Sequence, residues 1–433
     1  MTNAIVRSKR TSGTALAGAL ILVAVAPAAR AATEQELEAK LDALATQVAQ
    51  LQSELAALKA ERAPSATPAP AASTAAAPRQ VADEAPKLDW FGYGELNYSR
   101  PSDDGSRAVA DVGRFVLGAA YRFDTRTRFV SELEIEHAVS SAEDPGEVEV
   151  EQAYIERAHG DRVFGRYGLF LMPVGMLNEN HEPTRYYGVF RNAVETAIIP
   201  TTWREGGVAF QGNLDNGLRW DAGVSTGFNL SKWDATSGEG RESPLGSIHQ
   251  ELALASAGDL SVFAALNYSG VPGLRVGGSV FHGNSAQGQP GLRDNDVTLW
   301  EGHVRWNPGK WELSALSAHG RIANTAAVNL PLVGNPTLIP AEFFGQYVEG
   351  AYRASLKNGW TLAPFARYEV VNTASEYANL GFGLTPDALR DEKIGTAGVN
   401  LTIASGVVFK FDYRDFKRDA GLRGFDVGVG YQF

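Results

Sequence analysis

From residue 88 to the end of the chain, apolar and polar residues alternate with period two in many short segments. In the segment 128–136, apolar side chains dominate the odd positions, whereas Arg128, Glu132, Glu134 and Glu136 occupy even positions. This alternation is typical of a β-strand with one apolar and one polar face. The chain beyond residue 88 is therefore predicted to be all-β.

The alternating segments number sixteen, and the connections between them are short and long in turn. The short ones are tight turns such as Asp215-Asn216-Gly217, and the longest loops are 172–204 and 229–257. Tight turns at one rim and long loops at the other indicate a 16-stranded antiparallel transmembrane β-barrel. A pair of soluble β-sandwiches predicts neither this alternation nor aromatic residues at the strand ends. The predicted strands are 88–99, 108–123, 126–138, 147–158, 162–171, 205–214, 218–228, 258–269, 274–284, 296–307, 311–322, 343–354, 360–372, 391–403, 407–417 and 425–433.

The cost of placing charge in lipid decides which face of each strand points outward. An Arg or Lys facing the middle of a bilayer costs roughly 2–4 kcal/mol, and Asp or Glu costs less. Glu132, Glu134 and Glu136 together are therefore expected to face a water-filled interior, and the apolar faces to meet lipid. Aromatic residues expected near the two interfaces are Trp90, Trp220, Trp300, Trp311, Trp360 and Tyr98.

The first 31 residues are predicted to be a signal peptide. Arg7, Lys9 and Arg10 form a basic start, an apolar run follows, and Ala29-Arg30-Ala31 fits a cleavage site. A transmembrane anchor is the alternative, but the apolar run is short and rich in alanine. Cleavage would remove these four basic residues and change the formal charge from −11 to −15. That charge argues against binding to nucleic acid.

Two further segments precede the predicted barrel, which spans 88–433. In 32–62, leucine and valine recur at alternating spacings of four and three, which predicts a coiled coil. The segment 63–87 is rich in alanine and proline and is predicted to be a linker. A short coiled coil needs a partner, so it implies an oligomer with the coiled coil in the periplasm. A single amphipathic helix is the alternative.

The chain ends in an alternating apolar strand whose last residue is Phe433. This pattern is similar to the C-terminal strand by which the outer-membrane assembly machinery recognises barrels. We therefore expect Tyr431 and Phe433 to form a barrel-assembly signal, and the barrel to contact outer-membrane lipid.

Sixteen strands enclose an aqueous lumen, so function depends on what narrows it. The loop after the fifth predicted strand is the best candidate for a constriction. It carries Arg185, Arg191 and Arg204, and strand parity points three further arginines inward. The candidate anion-facing residues are thus Arg185, Arg191, Arg204, Arg114, Arg122 and Arg128, with Glu132, Glu134 and Glu136 as lumen acids.

Around this loop the chain resembles the phosphate-selective porin O and P family. The resemblance rests on Gln152-Ala153-Tyr154-Ile155-Glu156, on the run from Gly165 to Gly175 that includes Leu171-Met172-Pro173-Val174, and on Arg204-Glu205-Gly206-Gly207. It implies a homotrimer of sixteen-stranded barrels in the outer membrane of a Gram-negative bacterium. Each barrel would then be its own pore for small anionic solutes, without a cofactor.

The sequence does not decide which solute would pass, because the lumen acids and arginines together create an electric field of mixed sign. General or mildly anion-selective passage, phosphate uptake and small carboxylates are all compatible with the residues. A structural protein that links the barrel to the cell wall through the coiled coil is one alternative. A barrel enzyme is another, but no nucleophile with a placed histidine and no metal-spaced pair is present, so no catalytic residue or metal ligand is predicted. His303 and His319 could be neighbours on adjacent strands.

Overall fold

The computed structural model describes residues 88–139, 141 and 144–433, and these form a closed antiparallel β-barrel. The predicted signal peptide (1–31), coiled coil (32–62) and linker (63–87) lie outside the described residues and stay predictions. The first eight strands are β1 (Leu88–Pro101), β2 (Val109–Arg122), β3 (Thr127–Glu136), β4 (Val148–Ala158), β5 (Val163–Leu171), β6 (Arg204–Asn213), β7 (Leu218–Ser225) and β8 (Ser261–Tyr268).

The second half of the barrel contains one interrupted strand, β12, whose two segments Glu342–Tyr352 and Ala354–Ser355 both pair with the next strand. Counting β12 as one strand, the barrel has sixteen, which confirms the predicted fold. The remaining strands are β9 (Leu274–Asn284), β10 (Asp296–Trp306), β11 (Trp311–Ile322), β13 (Thr361–Glu376), β14 (Glu392–Ala404), β15 (Val407–Phe416) and β16 (Gly424–Gln432).

The barrel closes where β1 pairs with β16, in a register that runs from Tyr93 opposite Gln432 to Pro101 opposite Gly424. The Phe433 N–H donates to the Gly92 carbonyl at 2.9 Å, and the Gly92 N–H donates to the Phe433 carbonyl at 3.1 Å. A Cβ atom on Gly92 would lie 2.7 Å from the Phe433 ring. Glycine therefore allows the last aromatic side chain to lie flat against the first strand.

The two ends of the barrel differ in the length of their connections. We call the end with both barrel termini and the short connections, such as the one between Ala404 and Val407, the turn end. The opposite loop end carries the loops 102–108, 137–147, 172–203, 226–260, 285–295, 323–341, 377–391 and 417–423. The loops contain short helical turns at Gly105–Arg107, Val194–Ile198, Leu230–Lys232, Glu239–Glu242, Gly246–Ile248, Thr325–Asn329, Leu330–Leu332 and Ala420–Leu422. Among the described residues, no helix has both the length and the apolar character needed to cross a membrane.

The outer face of the barrel is an apolar belt. Large apolar side chains that alternate along the strands are exposed there, whereas their sequence neighbours point into the barrel and are buried. Exposed apolar surface this extensive marks a face that meets lipid or another protein. Belt residues include Trp90, Leu117, Leu133, Val224, Val262, Leu266, Val280, Trp300, Trp311, Val348, Trp360, Phe409, Phe411, Phe425 and Val427.

A β-bulge interrupts the pairing of β3 with β4. Glu132 lies opposite Gln152 whereas Leu133 lies opposite Val150, so Glu151 is an extra residue without a partner in the register. Glu151 and Gln152 are consequently both buried, at 0% and 8% exposure. Bulges of this kind re-aim side chains, and this one places two consecutive residues, Glu151 and Gln152, in the inner wall, which strand parity does not predict.

Candidate functional site in the lumen

The loop 172–203, here called the inward loop, crosses the lumen and contacts strands far from its own ends. The Tyr186 hydroxyl donates to Glu95 of β1 at 2.7 Å. The Val189 N–H donates to Asp412 of β15 at 2.6 Å. The Ala193 N–H and Glu369 of β13 are likewise 2.6 Å apart. Because β5 and β6 hold the ends of the loop, these bonds place its middle across the barrel interior.

The ends of the inward loop are fastened together by Asn178. Its buried side-chain amide donates to the carbonyls of Met172 and Trp203, at 2.8 Å each, and its oxygen accepts the Trp203 N–H at 2.7 Å. Further along, the Glu195 carboxylate accepts from the hydroxyl of Tyr347 in β12 at 3.0 Å. Saturated hydrogen bonding of buried groups gives the loop a defined position.

A buried apolar cluster joins the inward loop and the next long loop to the inner face of β8 to β12. Trp203 lies 5.1 Å from Phe228 of the next long loop and 4.8 Å from Phe281 of β9, measured between ring centres. All three side chains are at most 1% exposed. Burial of aromatic rings supplies much of the packing energy of such a cluster.

Two cavities border the inward loop on opposite sides. One of about 400 Å³ lies between the loop and the wall of β13 to β15, and its lining includes Arg191, Arg367 and Arg414. The other, of about 260 Å³, lies towards the turn end, and its lining includes Arg219 and Arg275. Arginine therefore lines the lumen on both sides of the inward loop.

Six arginines on the inner face form a band near the turn end, which we call the arginine track. In the strand register Arg122 lies directly opposite Arg128, and Arg275 lies directly opposite Arg305. Like charges directly opposite each other on one face destabilise a sheet unless an anion lies between them. The complete track is Arg122, Arg128, Arg166, Arg219, Arg275 and Arg305.

Carboxylates neutralise part of the arginine track. Glu179 of the inward loop accepts from Arg166 at 2.9 Å and from Arg219 at 2.8 Å. Within the described residues, neither Arg122 nor Arg275 has an ion pair or a side-chain hydrogen bond, and of these two Arg275 borders two cavities. Arg275 is thus the guanidinium best placed to meet a solute.

Sequence reasoning found Arg122 and Arg128 but did not single out Arg166, Arg219, Arg275 or Arg305. The sequence pattern does indicate these four residues, because each of them lies on the polar face of its strand. Parity alone does not predict how separate strands align. That alignment brings the arginines into one band.

The other predicted arginines have different surroundings. Arg185 of the inward loop is exposed and lies 3.8 Å from Glu182, and Arg191 of the same loop lines the larger cavity. Arg114 is 3% exposed, and its Nε donates to Glu95 at 2.9 Å. Arg185 and Arg191 are therefore open to solutes, whereas Arg114 is held by a carboxylate.

Arg204 begins β6 rather than ending the loop, and it occupies the strand face opposite that of Glu205. Its buried guanidinium forms ion pairs with Glu149 of β4 and, at 2.8 Å, with Glu251 of the loop 226–260. Burial lowers the pKa of the neighbouring His249, although Glu251 opposes the shift. These contacts tie three elements together at the loop end.

The predicted lumen acids occupy the inner face of β3. Glu132 and Glu134 are buried there, at 8% and 2% exposure, and Glu136 shares their parity at the end of the strand. His303 and His319 lie on adjacent strands but are not neighbours. His303 lies opposite Leu316 and bonds Glu301 inside the wall, whereas His319 stacks on the exposed Trp300 at 4.5 Å.

Comparison with known proteins places the fold among outer-membrane barrels. OmpF of Salmonella typhi, solved in complex with daunomycin, superposes with a TM-score of 0.56 at 15% identity, over 80% of this chain and 97% of that one. A loop-deletion mutant of OmpT, an outer membrane protein of Vibrio cholerae, gives 0.50 at 13% identity, over 81% and 100%. The chain has the sixteen-stranded barrel fold of these proteins.

Sequence comparison adds one relative without an assigned function. A protein of Aquifex aeolicus strain VF5 is 28% identical over 336 residues, which cover 75% of each chain. No family model matches the chain. The resemblance to the phosphate-selective porin O and P family therefore stays a prediction.

Proposed function

We propose that this protein is an outer-membrane channel for passive diffusion of small hydrophilic solutes. The observation that carries the proposal is the pairing of an apolar outer belt with a charged lumen crossed by the inward loop. A barrel that only anchors a partner needs no charged interior. OmpT, which shares this fold, is an outer membrane protein of Vibrio cholerae, and this supports the proposed location.

We further propose that the channel prefers anions, with phosphate or small carboxylates as candidate solutes. In the opposed pairs Arg122–Arg128 and Arg275–Arg305, Arg128 pairs with Glu156 at 2.8 Å and Arg305 lies 3.7 Å from Glu312, whereas Arg122 and Arg275 have no carboxylate partner within the described residues and would attract anions. Guanidinium groups bind phosphate and carboxylate through paired hydrogen bonds. Arg185 and Arg191 would add to the attraction beside the inward loop.

The remaining proposals concern assembly and location. The barrel would be a homotrimer in the outer membrane of a Gram-negative bacterium, with the coiled coil in the periplasm. The exposed ring of Phe433 and the partly buried ring of Tyr431 lie against Gly92 and Gly94 of β1 at the closing strand pair, which supports their proposed role as an assembly signal.

Swelling of liposomes tests the channel proposal. Full-length protein reconstituted into liposomes should admit small sugars and, faster at equal size, small carboxylates, since diffusion is passive and the lumen carries the arginine track. Heat-denatured protein is the control. Folded protein that admits neither solute would contradict the channel and favour the structural alternative.

A further inference from the structure

We propose that Glu132, Glu151 and His181 form a binding site for one divalent transition-metal ion at the inner wall of the barrel. One ligand atom from each residue lies within 4.8 Å of the others. The three side chains are 8%, 0% and 3% exposed. This inference does not depend on the proposed transport function.

Three different elements bring the ligands together. Glu132 comes from β3, Glu151 is the extra residue of the bulge in β4, and His181 belongs to the inward loop. Bulges often lie beside functional sites because they re-aim a side chain. Neither the chain spacing nor the strand parity predicts this meeting.

The imidazole is oriented as a metal ligand. His181 Nδ1 lies 2.8 Å from the carbonyl oxygen of Asn178. A carbonyl only accepts hydrogen bonds, so Nδ1 carries a proton, and Nε2 is the nitrogen that faces the two carboxylates and would bind the metal ion after losing any proton of its own. Metal-binding histidines are commonly held in this way, with the second nitrogen donating to a backbone carbonyl.

The carboxylates offer oxygens that have no hydrogen bond. Within the described residues, Glu132 Oε2 and Glu151 Oε1 are buried without a hydrogen-bond partner, and Glu151 Oε1 lies 3.1 Å from His181 Nε2. Arg114 forms no direct ion pair with these two carboxylates within the described residues: its Nε donates to Glu95 at 2.9 Å, and another of its nitrogens donates to the carbonyl of His181. Buried acceptors that face one another without a proton or cation are unfavourable.

The adjacent Tyr93 completes the surroundings. Its hydroxyl donates to Glu151 Oε2 at 3.1 Å and lies 2.5 Å from His181 Nε2. With a cation at Nε2, the hydroxyl proton would stay on the carboxylate side and orient Glu151. One imidazole and two carboxylates suit Zn²⁺, which would keep one position for water. The ion would link the inward loop to β3 and β4.

Zinc titration of the full-length, refolded protein tests the site. After dialysis against EDTA, calorimetry with ZnCl2 should show one ion per barrel, and the crystal should give an anomalous peak between the three side chains. Glu132→Gln keeps the shape of the side chain and should weaken zinc binding at least tenfold, and His181→Ala should abolish binding.

His303→Ala is the matched control. His303 is also buried and lies 2.8 Å from Glu301, but it has no third ligand within the described residues. This variant should bind zinc as the wild type does. Absence of zinc binding by folded wild-type protein would overturn the proposal, and so would unchanged affinity in Glu132→Gln. Either result would identify the cluster as a proton-sharing network.

Discussion

Arginine side chains inside the barrel fall into two groups, according to whether a carboxylate holds them. Arg275 has no partner among the described residues and borders open space. Arg367 of β13 is 3% exposed and forms ion pairs with Glu369 at 2.8 Å and Glu349 at 3.1 Å. The first arrangement suits contact with solutes, and the second stabilises the wall.

Arg275→Gln should lower anion preference without lowering stability. A unit positive charge attracts a chloride ion 4 Å away in water by about 1 kcal/mol. Loss of this attraction should lower the chloride-to-potassium permeability ratio roughly fivefold. Reversal potentials in a KCl gradient measure this ratio. Arg162→Gln, in an exposed turn, is the control and should change the ratio little. An unchanged ratio in Arg275→Gln would remove this residue from the solute path.

Arg367→Gln should lower stability and have little effect on anion preference. Removal of one partner from a buried ion pair leaves uncompensated charge and costs roughly 3–5 kcal/mol. The temperature at which the folded barrel loses its compact gel mobility should therefore fall clearly below that of the wild type and of Arg275→Gln. Equal melting of the three proteins would contradict the structural role of Arg367.

The positions of the lumen residues show how much of the site the alternation along each strand predicts. Parity placed Arg114, Arg122, Glu132 and Glu134 on the inner face, because the period of a strand fixes which face each side chain occupies. Parity does not place Glu151 uniquely, because the bulge breaks the period: counted from Glu149 the residue faces inward, and counted from Tyr154 it faces outward. Parity also gives no guide to the contacts of Arg204, one of whose partners, Glu251, comes from a loop.

At the level of elements, the inward loop is the part of the barrel that decides the shape of the passage. Its hydrogen bonds reach β1, β12, β13 and β15, and the Thr184 hydroxyl donates to Gln432 of β16. The sequence predicted a constricting loop after the fifth strand. It could not predict these contacts, because they depend on loop conformation.

A chemical crosslink should lock the inward loop to the wall. The chain has no cysteine, so the double variant Thr184→Cys with Gln432→Cys carries the only two thiols. The end of the Gln432 side chain reaches Thr184, so a short bifunctional thiol reagent that replaces this reach should join the two cysteines of the folded protein, and the denatured chain should then migrate differently on a gel. The two single variants are controls. If the double variant stays uncrosslinked, the loop lies elsewhere.

The closing strand β16 provides a second prediction at this level. Deletion of Phe433 removes two backbone hydrogen bonds to Gly92 and the ring that lies over it. The amount of heat-modifiable barrel in the membrane fraction should fall severalfold. Leu384→Ala, in an exposed loop, is the control. Normal assembly of the truncated chain would argue against the proposed assembly signal.

At the scale of the whole molecule, the alternating pattern predicts the barrel fold better than it predicts the shape of the lumen. Sixteen strands and their bounds are predicted within a few residues, because one face of each strand is apolar and the turns are short. The apolar cluster around Trp203, Phe228 and Phe281 was not predicted. Two of these residues lie in loops and one lies on a strand, and they are far apart in the sequence. No local sequence pattern therefore indicates that they come into contact.

The central claim, an anion-preferring diffusion channel, is tested most directly by single-channel recording in planar bilayers. Full-length wild-type protein in a KCl gradient should conduct in steps, grouped in threes for a trimer, with a reversal potential that favours chloride. Added phosphate should reduce the current if it binds the arginine track. Folded, heat-modifiable protein that shows no conductance would contradict the account, and a reversal potential that favours potassium would contradict its anion preference.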